Sequence, residues 1–111
     1  MSVAERVQRG VREDRLRDDI MTTADFGAIQ TDHGHGRTVL TGTDANRRAR
    51  EYLVDRLEAA NLDVRVDAVG NVAGRWVPDG VDPTVPPVAC GSHLDSVPEG
   101  GIFDGVLGVY S

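Results

Sequence analysis

The sequence predicts an α/β domain, and three successive segments carry that prediction. Residues 44–60 have apolar side chains at spacings of three and four, the pattern of a helix with one buried face. Residues 62–69, LDVRVDAV, alternate apolar and charged side chains, which indicates a half-buried strand. Residues 88–93, VACGSH, are apolar up to Gly91, so we expect a third strand that is central in its sheet.

The elements before residue 44 are less regular. Ser2 and Glu5 have the spacing of a capping box, and apolar residues allow one helix or two short helices over residues 3–22, interrupted at Gly10. Residues 24–42 are glycine-rich and have no sustained period. They predict a long loop, with a brief extended piece at RTVL.

The elements after residue 44 have clear end signals. Thr43 or Asp44 can cap the helix, and Asn61 can end it in a left-handed conformation. A turn at Gly70 precedes a second strand, VAGRWV. The proline-rich residues 78–87 then predict a surface connection.

Composition limits the class of protein. The chain has 111 residues and a net charge of −6. That length fits one domain, and the charge argues against nucleic acid or an anionic membrane as a partner. No apolar run approaches the roughly 18 residues of a membrane span, and charges stand where a signal peptide needs its apolar centre. We therefore expect a cytoplasmic protein.

The single cysteine, Cys90, cannot form an internal disulfide. Because free cysteine usually behaves as a small hydrophobe, we expect Cys90 to be a buried residue of the third strand. The alternative is a reactive thiol or a neighbour of a metal.

Three residues near the end of the sequence could bind a metal. In an extended backbone His93 and Asp95 point to the same side, so the carboxylate can fix the imidazole tautomer and leave the other ring nitrogen for the metal. Pro98 and the following glycines can turn the chain so that Asp104 returns to the same place. Taken alone, the His93–Asp95 pair is better explained as hydrogen-bonded loop residues, and Asp104 as a helix cap.

A second histidine pair, His33 and His35 in DHGHG, could in principle chelate a metal. A glycine-flanked loop holds no fixed geometry, so we favour a simple loop there.

The string GSHLDSVPEGGIFDGVLGV, residues 91–109, resembles the first metal motif of the amidase, hydantoinase and carbamoylase group of the M20 metallopeptidase superfamily. The group includes N-carbamoyl-L-amino acid hydrolases and allantoate amidohydrolases. The resemblance extends back to about residue 15 and includes the D-x-x-G-N string of residues 67–71. The chain departs from the family pattern at GHGRTVLTG, residues 34–42.

The resemblance implies a zinc-peptidase-like fold, with a mixed sheet flanked by helices, and a site for two metals. His93 would ligate one metal, Asp104 would bridge both, and Asp95 would orient His93. The metals would be zinc, or else manganese, cobalt or nickel. The substrate would be a small carbamoyl or ureido compound, and the family is typically homodimeric.

The resemblance also implies that much of the enzyme lies outside residues 1–111. The family's Glu-Glu pair, which supplies the general base, its later metal ligands and its lid domain have no counterpart in the sequence. We therefore expect the N-terminal portion of a catalytic domain, inactive by itself. Two alternatives stay open: a small non-catalytic interaction protein derived from such an enzyme, and an M20-type aminopeptidase.

Overall fold

The computed structural model describes all 111 residues and contains four helices and two antiparallel hairpins. In chain order the elements are α1 (Val3–Gly10), α2 (Glu13–Ala24), β1 (Ala28–Thr31), β2 (Gly34–Arg37), α3 (Asp44–Ala59), β3 (Asp63–Val66), β4 (Val72–Arg75) and α4 (Val106–Tyr110). None of the helices combines the length and the apolar character needed to cross a membrane. The mixture of helices and strands is compatible with the predicted α/β class.

Of the two N-terminal arrangements that the sequence allows, one helix or two short helices, the structure has two helices, α1 and α2. The hydroxyl of Ser2 accepts a hydrogen bond from the Glu5 amide, and the Glu5 carboxylate accepts one from the Ser2 amide, at 3.2 and 2.6 Å. This reciprocal pair satisfies two amides that the first turn leaves free. α1 then ends at Gly10, as the sequence predicts.

Helix α3 is the longest element and has the predicted limits. The Thr43 hydroxyl accepts a hydrogen bond from the Asn46 amide, and Asn61 ends the helix with a φ of 60°. Ala49 and Leu53 are buried on its inner face. The helix packs against the β3–β4 hairpin so closely that a Cβ at Gly74 would lie 2.9 Å from a methyl of Leu57.

The β3–β4 hairpin confirms the strands predicted on either side of Gly70. β3 pairs with β4 from Asp63 opposite Arg75 to Val66 opposite Val72. Between them the Asp67 carboxylate accepts hydrogen bonds from the backbone and side-chain nitrogens of Asn71, both at 2.8 Å. These bonds close the turn.

The prediction of a long loop over residues 24–42 is wrong. β1 and β2 form a hairpin in which Thr31 pairs with Gly34 across the residues Asp32 and His33. Glycines in β2 hide the alternation that marks a strand in the sequence. At Gly36 the absence of a side chain is required, because a Cβ would lie 2.8 Å from the Gly100 carbonyl oxygen.

The prediction of a third, central strand at residues 88–93 is also wrong. This segment has no regular structure, Val88 is fully exposed, and Cys90 is exposed rather than buried. The two hairpins remain separate sheets, so no neighbouring strand is available to pair with it, and the predicted mixed sheet is not formed. Residues 78–87, in contrast, form the exposed irregular connection that their prolines predict.

The core lies where α2, α3 and α4 meet the loop after β2. Its buried apolar residues are Ile20, Val39, Ala49, Leu53 and Val106. A polar link crosses it: the Asp19 carboxylate accepts a hydrogen bond from the Tyr52 hydroxyl at 2.7 Å and pairs with Arg56 at 2.8 Å. This link joins α2 to α3.

Candidate functional site

The segment that carries the predicted metal residues is irregular but is anchored to the end of β2. The Ser96 amide donates to the Val39 carbonyl at 2.8 Å, and Arg37 and Gly100 exchange two backbone hydrogen bonds of 2.9 Å. The Ser96 hydroxyl also accepts from the Val39 amide at 2.9 Å. These contacts fix residues 96–100 beside residues 37–39, and the predicted site lies on either side of that anchor.

His93 and Asp95 lie together, as their spacing predicts. His93 Nδ1 is 2.9 Å from the Asp95 carbonyl oxygen and 3.2 Å from its carboxylate Oδ1. Both oxygens can only accept, so Nδ1 of the neutral ring must carry the proton. The lone pair of Nε2 is then free, and this is the tautomer that a metal ligand needs. The two residues meet within a segment, residues 91–97, that has no regular secondary structure.

Gly105 packs directly against His93. A Cβ at Gly105 would lie 2.2 Å from the His93 carbonyl oxygen and 2.6 Å from Nδ1, and the residue has a φ of +70°. Only glycine fits such a contact in such a conformation. The start of α4 is therefore held against the imidazole.

Asp104 stands immediately before this contact. Its amide donates to the Gly101 carbonyl at 3.3 Å. The N-cap of α4 is Gly105, and no side chain caps the helix. The Asp104 carboxylate therefore does not serve as the helix cap that the sequence also allowed.

The candidate ligands His93 and Asp104 are of types that bind zinc, but they are fewer than a catalytic zinc site usually has. Imidazole and carboxylate are donors that zinc accepts, but a catalytic zinc usually has three protein ligands. No group of three or more His, Cys, Asp or Glu side chains comes together in the structure. His33 and His35 lie in the β1–β2 hairpin and add no such group. Residues 1–111 alone do not enclose a metal.

Arg37, which was not among the predicted site residues, lies beside the candidate site. Its side chain is fully buried, and Nη2 donates to the carbonyl oxygens of Leu94 and Asp104 at 2.9 and 3.2 Å. Burial lowers the pKa of Arg37, while the negative charges of Asp104 and Asp95 act in the opposite direction. The only signal in the sequence is an arginine inside a glycine-rich run just before the apolar Val39 and Leu40.

Curated relatives cover nearly the whole chain. It is 43% identical over 106 residues, 96% of its length, to an N-carbamoyl-L-amino-acid amidohydrolase of Paenarthrobacter aurescens, and 42% identical over 103 residues, or 93%, to one of Rhizobium meliloti. A probable allantoate deiminase of Oryza sativa subsp. japonica is 32% identical over 92% of the chain.

The chain belongs to the amidase, hydantoinase and carbamoylase group. This confirms the resemblance found in the string of residues 91–109. The chain spans only about a fifth of these relatives, 22%, 24% and 20% of their lengths. No protein-family model matches it.

Proposed function

We propose that the chain is the N-terminal portion of the catalytic domain of a metal-dependent amidohydrolase. The reaction would be hydrolysis of a linear C–N bond other than a peptide bond, in an N-carbamoyl amino acid, allantoate or a related ureido compound. The observation that carries the proposal is the identity of 43% over 96% of the chain to a relative named for that chemistry. The tautomer that Asp95 imposes on His93 supports it independently.

Three residues would have distinct roles in the complete site. His93 would ligate a metal through Nε2, because Nδ1 is engaged by Asp95. Asp104 would bridge two metals with a carboxylate that is not used as a helix cap. The bound zinc, or manganese, cobalt or nickel, would supply Lewis acidity toward the carbonyl group of the scissile bond. Asp95 would keep the imidazole oriented.

The remaining ligands and the general base would come from polypeptide beyond these 111 residues. The chain offers two ligands for two metals, and it spans about a fifth of the relatives' lengths. The whole protein would be a cytoplasmic homodimer. The 111-residue chain by itself would not turn over substrate.

The test is an assay of the full-length protein on N-carbamoyl amino acids, allantoate and ureidoglycolate, before and after chelation. We expect ammonia release that chelation abolishes and added zinc or manganese restores. His93→Ala and Asp104→Ala should abolish activity and lower metal content. His33→Ala is the matched control, since His33 lies in the β1–β2 turn, and should change neither. Activity that survives complete metal removal would refute the mechanism.

The 111-residue chain allows a separate test. Isothermal titration calorimetry with zinc at neutral pH should show weak binding or none, because too few ligands converge. Tight one-to-one binding would contradict the division of the site proposed above.

A non-catalytic interaction protein is a second candidate because the chain exposes large apolar side chains. Trp76 is 71% exposed, Val88 100% and Phe103 58%. Such surface suits contact with another polypeptide. Sequencing beyond codon 111 separates the two candidates. A continuing frame with a Glu-Glu pair and later histidines favours the enzyme, whereas a stop codon with independent expression favours the small protein.

A further inference from the structure

The burial of Arg37 is not explained by any stability that its side chain gains there. The side chain has no exposed surface, and Nε and Nη1 have no hydrogen-bond partner. Its only side-chain partners are two peptide carbonyls, with no carboxylate in ion-pair contact. Burying a guanidinium without an ion pair costs stability, because the lost hydration is not fully replaced. A role in holding other groups explains why an arginine is found there.

The two carbonyls belong to the two parts of the candidate site. Leu94 stands between His93 and Asp95, and Asp104 precedes the glycine that contacts the imidazole. A single nitrogen, Nη2 of Arg37, therefore joins the irregular segment at residues 93–95 to the turn at residues 104–105. We propose that Arg37 is a positioning residue that fixes these two parts of the chain relative to each other. The inference rests on the proposed function of His93, Asp95 and Asp104.

The backbone of Arg37 is anchored well enough to serve this purpose. Its amide and carbonyl pair with Gly100 at 2.9 Å in both directions, and its carbonyl also accepts from the Ser96 hydroxyl at 3.3 Å. Arg37 thus contacts the segment at three places, before, within and after its tight central turn. β2 provides the reference to which both proposed metal ligands are held.

The chemistry of the side chain predicts how substitutions should rank. Arginine has several donors in a rigid plane and is less strongly hydrated than a lysine ammonium. Lysine keeps the charge and can donate to one or both carbonyls, but it is harder to desolvate. Methionine fills similar space and donates nothing, so the Leu94 and Asp104 carbonyls lose this partner. We therefore expect arginine to hold the two carbonyls most firmly, lysine less firmly and methionine not at all.

The first experiment uses the unmodified 111-residue chain. Nuclear magnetic resonance should show the Arg37 Nη2 protons exchanging slowly with water, with couplings across the hydrogen bonds to the carbonyl carbons of Leu94 and Asp104. The exposed Arg65, which pairs with Asp63 at 3.2 Å, is the internal reference and should exchange fast. Fast exchange at Arg37, with no such couplings, would overturn the proposal without any variant.

The second experiment compares Arg37→Met and Arg37→Lys with the control Arg65→Met. Hydrogen exchange at the Ser96 and Gly100 amides should accelerate roughly tenfold in Arg37→Met, relative to α3, as expected for the loss of one or two ordinary hydrogen bonds. Arg37→Lys should recover part of that protection. The control should match the parent chain.

The tautomer of the His93 imidazole reports the geometry of the site itself rather than the overall stability of the fold. At alkaline pH, where the ring is neutral, its nitrogen shifts should report the Nδ1-protonated tautomer in the parent chain and a mixture of tautomers in Arg37→Met. If His93 and the Ser96 amide behave alike in Arg37→Met and Arg65→Met, Arg37 does not position the site. None of these readouts depends on activity, so an inactive full-length enzyme would refute the proposed function and leave this result standing.

Discussion

Replacing Gly105 with alanine tests the closest packing in the candidate site. The new Cβ would lie 2.2 Å from the His93 carbonyl oxygen and 2.6 Å from Nδ1. Backbone at φ +70° and ψ −39° is also outside the regions that alanine prefers. The substitution therefore combines backbone strain with a contact that must be relieved by moving the imidazole or the start of α4.

The magnitude follows from these two contributions. A residue in a sparsely populated backbone region costs about 1–3 kcal/mol, and overpacking typically costs about 1–3 kcal/mol more. We expect a loss of about 2–6 kcal/mol, a large part of the roughly 5–15 kcal/mol that stabilises an ordinary domain. With a urea m-value of about 1–3 kcal/mol/M, the unfolding midpoint should fall by about 1 M or more.

Two glycines serve as matched controls in urea unfolding followed by circular dichroism. Gly80 has a φ of +78° and no atom within 4 Å of its Cβ position, so Gly80→Ala measures strain alone. Gly101 has neither a positive φ nor a near neighbour, and Gly101→Ala should stay within about 0.5 kcal/mol of the parent. If Gly105→Ala loses no more than Gly80→Ala, the start of α4 does not pack on His93 and the geometry described above is wrong.

Three further predictions concern the rest of the fold. Tyr52→Phe removes the 2.7 Å hydrogen bond to the Asp19 carboxylate and should cost about 1–2 kcal/mol in urea unfolding, whereas a loss below about 0.5 kcal/mol would show that water replaces the bond. Burial raises the pKa of Tyr52 and of Tyr110, so the stability that their neutral forms contribute is complete below about pH 10 and is lost as pH rises through the folded-state values; phenolate absorbance should rise together with unfolding. Hydrogen bonds from the side chain and then the backbone of Asn71 lower the pKa of Asp67, so its contribution is present above about pH 3.9 and is lost as pH falls through the folded-state value; Asp67→Asn should flatten that acid limb, and an unchanged limb would contradict the role of the turn.

Elements with local signals were predictable from the sequence. Helix α3 has its period, its Thr43 cap and its Asn61 ending within one continuous stretch, so no distant contact is needed to recognise it. The β3–β4 hairpin is similar, because its turn is closed by Asp67 and Asn71 within five residues of sequence. The β1–β2 hairpin gave no such signal, since glycines replace half of one strand.

The apolar stretch at residues 88–93 shows where such reasoning fails. Apolar composition reports the environment that a segment suits, but a central strand also needs a partner on each side. Neither hairpin extends to this segment, so Val88 and Cys90 remain exposed.

The candidate site also has one part that the sequence predicts and one part that it does not. His93 and Asp95 are two residues apart, and their contact could be predicted from that spacing. The role of Arg37 could not be predicted, because its side chain donates to the peptide carbonyls of Leu94 and Asp104. Every residue has such a carbonyl, whatever its side chain. A long-range hydrogen bond to the backbone leaves no pattern in the sequence.

The exposed position of Cys90 makes the chain a convenient reporter of its own assembly. It is the only thiol in the sequence, so a maleimide dye attaches at one defined place, three residues before His93. Labelling rate then measures how open residues 88–93 are. Any polypeptide that covers residues 88–93 would slow the reaction, and the degree of slowing would give its occupancy without a substrate or a metal.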